Sequence, residues 1–403
     1  MSENRRGFRL SVPLVSLILQ LAIALLLIKA PISQFIFSAI NGLVIALEQA
    51  TRHGTGFVFG YIGGDTLPFK SEGNGSAFVL AFQALPLIIF LSALTSLLNY
   101  WRILPRIIQA LSRLLNVVIP MSSAAAFASV ANIFVGMIES PLFIKPYLEK
   151  LTRSDLFILM SVGMSTIAGT VMVIYVGFLD TVLIDAAGHL LTASVISVPA
   201  AIGVASVMVP PPATGSTTEE PVDTLPVTAF EEYRSGVDAL VSGTQQGLQL
   251  CLQIAALLIV FVALVALLNF GLGAITSIMI DAQLDLQTLL GFVMAPFAWL
   301  IGVPWSEALA AGKLLGVKIV LNEFIALREL GEIGADTLSS RSITIMSYAL
   351  SGFANIGSLG ILIGGLTAMA PNRRREIIQL APRAVISGTL ATLMTGAIIG
   401  IIY

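Results

Sequence analysis

The 403-residue chain is 56% hydrophobic and 11% charged, with a formal net charge of −2 and a mean hydropathy of +0.94. Water-soluble domains carry about 25% charged residues, so this composition excludes a water-facing surface over most of the molecule. The near-neutral balance gives no basis for binding nucleic acid, and a single cysteine, Cys251, excludes an internal disulfide or a thiolate metal cage.

Taken in chain order, apolar runs long enough to cross about 30 Å of hydrocarbon predict spans at 12–30, 77–99, 156–180, 185–209, 247–271, 343–366 and 379–402. The first has a basic flank but is long and lacks a clear small-residue cleavage site, so it predicts a retained span. Residues 40–62, with Glu48, Arg52 and His53, predict an amphipathic helix lying at the interface. Two regions, 120–150 and 287–330, are apolar but interrupted by Gly, Pro and polar residues. Irregular backbone at membrane depth is tolerated only where protein or a water-filled cavity covers it, so both predict re-entrant hairpins. Residues 210–236 (PPPATGSTTEEPVDTLPVTAFEEYRSG) predict a cytoplasmic linker with little order.

Basic residues orient the chain. The clusters are Arg5, Arg6 and Arg9; Arg102, Arg106 and Arg113; Lys145, Lys150 and Arg153; and Arg373, Arg374 and Arg375. Threading seven crossings from a cytoplasmic N-terminus puts all four on the cytoplasmic side and leaves Tyr403 outside. The two halves also echo each other. MSVGMSTIA (160–168) and MSYALSGFA (346–354) match at Met, Ser, Ser and Ala, after each hairpin, in spans that run in opposite directions. Such inverted repeats place a binding site where they meet. The expected fold is therefore an all-α polytopic membrane protein with about seven transmembrane helices and two re-entrant hairpins in inverted repeats. Its expected parts are N-terminal scaffold helices with the interfacial helix (1–118), the first hairpin and two spans (119–209), the linker (210–240), a further scaffold span (241–286), and the second hairpin with the last two spans (287–403).

Carboxylates at membrane depth are costly and mark functional sites. Glu139 lies in ANIFVGMIESPLFIKPYL (131–148), after Gly136 and before Pro141, where two half-helices would meet at a break. Glu323 lies in the matching part of the second hairpin, KIVLNEFIAL (318–327). Asn355 and Ser358 are expected mid-span on one helix face, where ligand binding and interhelical hydrogen bonding fit equally well. Asn132 and Thr166 are further polar residues at depth. The run GILIGGL (360–366) has no phosphate-loop lysine after it and predicts close helix packing. Cys251, His53 and His189 read as packing or interfacial residues. No HExxH, GxSxG or Walker pattern is present, which argues against an enzyme and against ATP-driven transport by this chain alone.

At SVANIFVGMIESPLFIKPYL, LFILMSVGMSTIAGTVM, FAWLIGVPWSEA, NEFIAL and SGFANIGSLGILIGGLTAMAPNRRREI the sequence resembles the concentrative nucleoside transporters, from about residue 30 to the C-terminus. The resemblance implies a homotrimer in the cell inner membrane, driven by a gradient of Na+ or alternatively H+, with an elevator-like transport domain and no other cofactor. It implies that Glu323, Asn355 and Ser358 hold the ribose hydroxyls, that Phe353 and Val171 line the pocket, and that Asn132, Val135, Thr166 and Ile167 hold Na+. Hard neutral oxygens of this kind suit an alkali cation.

Two departures stand out. Relatives carry a Gln-Thr or Gln-Ser pair before the first-hairpin Glu to read the base edge; here Met137 and Ile138 precede Glu139, and neither makes a strong hydrogen bond. Base selectivity is therefore expected to be relaxed or altered, toward nucleoside-like solutes in the limit. Bacterial relatives often carry one more span before the first seen here, and its lack agrees with an N-terminus inside. The competing readings are a non-transporting gate or assembly protein of the same fold, supported by loss of the polar pair, and an intramembrane enzyme, for which no nucleophile–base pair is present.

Overall fold

The computed structural model describes residues 2–3, 10–68, 78–211, 233–280, 285–334 and 336–403. The expected linker falls largely on 212–232 and the cluster Arg5, Arg6 and Arg9 on 4–9, both outside the described residues. Every element described is helical.

Helix α1 (Ser11–Lys29) is the first span, and α2 (Pro31–Phe59) follows at once. Pro31 sits where a helix needs no N–H, so α2 begins earlier than the interfacial helix expected at 40–62. A short α3 (Leu80–Gln83) and α4 (Pro86–Tyr100) make the second span. The amphipathic α5 (Ile103–Val118) was not among the expected elements. It buries Leu104, Ile108, Ser112 and Leu115 and exposes Arg106 and Arg113.

The first hairpin is α6 (Ser123–Ala131), an irregular stretch 132–138, α7 (Glu139–Leu142) and α8 (Lys145–Leu148). Pro141 and Pro146 keep its second arm in short pieces. The span expected at 156–180 is broken into α9 (Arg153–Ser165) and α10 (Gly169–Leu179). Then come α11 (Ala186–Met208) and the long α12 (Gly236–Ile280), which extends the span expected at 247–271 at both ends. Leu252, Ile259 and Phe270 on α12 are 61%, 71% and 76% exposed, a surface suited to lipid.

Region 287–330 holds three helices, one more than the two arms of a hairpin: α13 (Leu286–Leu300), α14 (Trp305–Val320) and α15 (Glu323–Glu332). The first two are bent by 119° at Gly302, whose φ of 107° suits glycine, and Pro304. The span expected at 343–366 is likewise broken into α16 (Ser340–Leu350) and α17 (Ile356–Met369), and α18 (Arg374–Ile402) ends the chain. Six helices are long and apolar enough to cross a membrane, seven if α13 and α14 count as one.

The inverted repeat is visible in how α9 and α16 start and stop. Thr152 caps α9 by accepting a hydrogen bond from Asp155 N, and Ser339 caps α16 by accepting one from Ser342 N. The start of α9 is tied to the first turn of α18, Arg153 to Glu376 at 3.2 Å. The start of α16 is tied to the far end of α18, Arg341 donating to the Gly400 carbonyl at 2.5 Å. The two helices thus enter from opposite ends and stop where they meet: a Cβ on Gly352 would stand 2.8 Å from the Ser165 carbonyl oxygen. Buried hydroxyls and amides join the helices, as lipid-embedded packing favours. Gln20 of α1 donates to Thr395 of α18 at 3.2 Å, and Ser197 of α11 lies 3.1 Å from the same hydroxyl. His189 packs against Phe37 and lies 2.8 Å from the Tyr348 hydroxyl.

At one end of the bundle Glu3 pairs with Arg153 at 2.8 Å and with Arg383, and its N–H donates to the Met208 carbonyl. The hydrogen bond from the Arg153 guanidinium holds the Glu3 carboxyl below the ordinary value of 4.5, against the opposing pull of partial burial. A carboxylate lowered on folding stabilises the folded state above its unfolded value and loses that contribution as pH falls through the folded one. The thermal midpoint in detergent is therefore expected to fall on acidification below pH 4.5, with Glu3→Gln removing about 1–2 °C of that dependence, a small effect because these groups are partly exposed.

Candidate functional site

The site is assembled from helix breaks, each with a local cause. Asn322 caps α15, its Oδ1 accepting from Ile325 N at 2.9 Å, and Glu323 is the first residue of the helix. Asn–Glu is a helix-start signature because the amide side chain accepts an orphan N–H and the carboxylate favours the positive helix end. Asn355 does the same for α17, its Oδ1 accepting from Ser358 N at 2.7 Å. Asn355 and Ser358 therefore do not sit in the middle of one continuous helix, as expected. The chain is broken at 351–355 and Asn355 is the cap.

The two caps converge. Asn355 Nδ2 donates to Glu323 Oε2 at 2.8 Å, and Tyr175 Oη of α10 donates to Glu323 Oε1 at 2.8 Å. Glu323 is 5% exposed, so each carboxylate oxygen is held by a donor from another helix in a water-poor setting, where charge-assisted bonds are strongest. Tyr175 is itself fixed, its ring edge-on to Phe324 at 5.9 Å.

A cavity of about 150 Å³ opens beside this carboxylate. All eight residues expected at the substrate line it: Met137, Ile138 and Glu139 from the first hairpin, Val171 from α10, Glu323 from α15, and Phe353, Asn355 and Ser358 from the α16–α17 break. Ile138 is seated on α17, where a Cβ on Gly365 would stand 2.2 Å from its Cδ1. Close packing in the run GILIGGL is thus the part of Gly365, while Gly360 and Gly364 face open space. The opposite wall is apolar and comes from α12, with Leu250, Ile254, Leu258 and Phe261. A second cavity of about 110 Å³ shares Gly136, Glu139, Thr170 and Leu250 with the first and is faced by Ser92, Thr95, Ser96 and Asn99 of α4.

Sequence reasoning missed Tyr175, the α12 wall and the α4 stripe. Tyr175 lies one helical turn after Val171, so an i,i+4 reading of α10 finds it. The stripe on α4 has the same spacing. The wall on α12 is uniformly apolar, and only packing against the breaks sets it apart from lipid-facing residues. Tyr175→Phe is expected to raise the half-saturating substrate concentration about 10-fold or more with maximal rate nearly kept, since one hydrogen bond to a charged group is lost while packing is unchanged. Uptake kinetics of the variant check this.

None of the four residues expected at a cation lines the substrate cavity, although their neighbours Gly136 and Ala168 do and Val135 lines the second cavity. Asn132 caps the C-terminal end of α6 and Thr166 that of α9; Val135 and Ile167 lie in the adjoining irregular segments. All four are buried, between 0% and 4% exposed. The two segments touch: Gly169 N donates to the Phe134 carbonyl at 3.2 Å, and a Cβ on Gly163 would stand 3.4 Å from Asn132 Nδ2. Thr166 Oγ1 donates to the Val162 carbonyl, which leaves its lone pairs as acceptors. The Asn132 carboxamide nitrogen is buried without a partner among the described residues. Rotating the amide by half a turn would present Oδ1 there instead, so the residues suit a small hard cation. Among the described residues no three His, Cys, Asp or Glu side chains gather, which an alkali ion held by neutral oxygens does not require.

Comparison with known proteins agrees in every region of the chain. Residues 189–400 match the family described as Na+ dependent nucleoside transporter C-terminus, residues 1–62 its N-terminal counterpart, and residues 81–182 a nucleoside recognition (Gate) family. The chain is 36% identical over 400 residues to the uncharacterized transporter YutK of Bacillus subtilis, covering 99% of this chain and 94% of that one. It is 31% identical to the nucleoside permease NupC of Helicobacter pylori, covering 99% and 93%. Human solute carrier family 28 member 3 is 35% identical over 95% of this chain and 55% of its own length. Among solved structures, CNTnw in an inward-facing substrate-bound state superposes with a TM-score of 0.90 at 33% identity, covering 99% of this chain and 92% of that one. An outward-facing form of the same protein gives 0.90 over the same coverage.

Proposed function

Because this chain belongs to the concentrative nucleoside transporter family, we propose that it imports nucleosides across the inner membrane by symport with Na+, through elevator-type alternating access. The observation that carries this reading is the buried Glu323 carboxylate, gripped by Tyr175 and Asn355 beside a cavity where two inverted repeats meet.

A vicinal diol is a pair of donors, and a carboxylate is an acceptor-only group that takes two of them. The ribose 2′ and 3′ hydroxyls bind at Glu323, with Asn355 and Ser358 at the same helix end. The base extends toward Met137, Ile138 and the α12 wall, where apolar contact and the Phe353 ring replace edge-reading hydrogen bonds. Glu139 remains as an acceptor at that end.

Coupling follows from sequence proximity. The stretch 132–139 carries both the cation residues Asn132 and Val135 and the base-side residues Met137, Ile138 and Glu139. A Na+ held by Asn132, Val135, Thr166 and Ile167 would order this stretch against the α9–α10 break and so complete the base side of the cavity. Ion and nucleoside then each raise the affinity for the other. Proton coupling through Glu139 or Glu323 is the alternative. The distribution of basic residues supports a cytoplasmic N-terminus with Tyr403 outside, and in this reading three copies form the working assembly.

The test is uptake of labelled nucleosides into proteoliposomes under an imposed Na+ or H+ gradient. Accumulation driven by Na+ supports the proposal, and accumulation driven only by H+ transfers the coupling role to the carboxylates. No accumulation of any nucleoside by folded protein would favour the non-transporting alternative. In the same panel, Met137→Gln combined with Ile138→Thr is expected to change the ranking of bases about 10-fold or more, because hydrogen-bond partners at a base edge discriminate strongly. An unchanged ranking would mean that these side chains do not face the base.

A further inference from the structure

Among the described residues, Lys318 is the one buried Lys or Arg, five residues before Glu323, and the transport reading leaves it without a task. It lies in the last turn of α14 and is 1% exposed. Its Nζ donates to the Ala349 carbonyl at 2.8 Å and to Thr392 Oγ1 of α18 at 2.7 Å. Ala349 is in the last turn of α16, so its carbonyl is one of those that the helix leaves unpaired and that carry its partial negative charge. The ammonium therefore sits where the C-terminal ends of a hairpin helix and a broken span come together.

The other repeat has the same meeting of ends. There the hairpin helix is α6 and the broken span is α9. The repeat MSVGMSTIA/MSYALSGFA pairs Gly163 with Ala349 and Thr166 with Gly352. At Gly163 the facing groups are the Met137 Cβ and the neutral carboxamide of Asn132, whose nitrogen is buried without a partner among the described residues. Among the described residues the first repeat thus has a hydroxyl at Thr166 and no cationic side chain on these helix ends. The second repeat has no side chain at Gly352 and a covalently attached cation. Two half-helix C-termini buried in low dielectric call for positive charge on each side of the repeat interface.

We infer that Lys318 is the second repeat's built-in counterpart of the coupling ion, occupying the position that a second Na+ would take and so limiting the chain to one ion per transport cycle. This rests on the Na+ symport reading, and unaltered protein run in parallel separates the two: without Na+-driven accumulation by the unaltered protein, the symport reading fails first.

The decisive variant is Lys318→Ser, which removes the ammonium and leaves the Ala349 carbonyl and the Thr392 hydroxyl as neutral oxygen ligands beside the space vacated by the longer side chain. In proteoliposomes the Na+ dependence of uptake is expected to become second order and the charge carried per nucleoside to double. In detergent, the thermal midpoint is expected to rise more steeply with Na+ than that of the unaltered protein. A folded Lys318→Ser protein with the original charge ratio, or with unaltered stabilisation by Na+, overturns the inference. Should that variant fail to fold, Lys318→Arg and Lys318→Met decide. Uptake kept by Arg and reduced about 10-fold or more by Met supports a fixed charge, and equal behaviour of the two overturns it.

Discussion

Glu323→Gln is expected to lower ribonucleoside uptake about 100-fold or more while the protein remains folded in the membrane. The substitution keeps the volume, so the packing of α15 is preserved, but it changes what the site can accept. Both carboxylate oxygens now take hydrogen bonds, one from Tyr175 and one from Asn355, each at 2.8 Å. An amide has one acceptor oxygen, and its NH2 group would face a donor on the other side. In the unliganded protein that mismatch can relax by rotation of the Tyr175 O–H, the ring staying in place. With a diol bound, two hydroxyl donors need acceptors at once, and the amide cannot supply them. The loss should appear in substrate affinity as well as in rate, and 2′,3′-dideoxynucleosides should lose much less. Normal uptake by a folded Glu323→Gln protein would remove the ribose assignment.

Gly352→Ala is expected to reduce uptake about 10–100-fold and to lower the thermal midpoint by several degrees, an overpacking cost of about 1–3 kcal/mol. Its Cβ would stand 2.6 Å from Thr392 Cγ2 and 2.8 Å from the Ser165 carbonyl oxygen. The second of these is backbone of the opposing break, so relief requires moving one repeat against the other. That displacement would carry Phe353 and Asn355 with it, because both lie in the same irregular segment. Gly364→Ala in α17 is the matched control. Nothing lies within 4 Å of its added Cβ, and a helical alanine is no worse than glycine. Equal losses in both variants, read by melting in detergent and by uptake kinetics, would mean that the contact between the breaks is not what matters.

Much of the architecture was legible before any coordinates. Spans at 12–30, 185–209 and 379–402 coincide with α1, α11 and α18 because a long apolar run has few alternatives in lipid. The hairpin of 120–150 was legible from Gly136 and Pro141. The inverted repeat was legible from four matching residues and from the direction of threading. Glu139 and Glu323 declared themselves by the cost of a carboxylate at depth. The resemblance supplied Val171 and Phe353, apolar residues with no signal of their own.

Other features escaped for physical reasons. Hydropathy averages over a window, so a break of a few residues between two apolar half-helices leaves no trace, and the spans at 156–180 and 343–366 read as continuous. Helix α5 escaped because its arginines lower the average although its buried face is regular. Lys318 lay in a quoted motif without a role, since a lysine in a hairpin reads as interfacial until its Nζ is seen on the Ala349 carbonyl.

Local composition and patterning thus determined the solvent, the number of crossings, the inverted repeat and the residues that bear charge at depth, because each depends on the free energy of single side chains in lipid. Tertiary structure alone decided where the spans break and which donors meet the Glu323 carboxylate. Those outcomes depend on backbone groups at helix ends finding partners far away in sequence, such as Phe134 for Gly169 and Lys318 for Ala349.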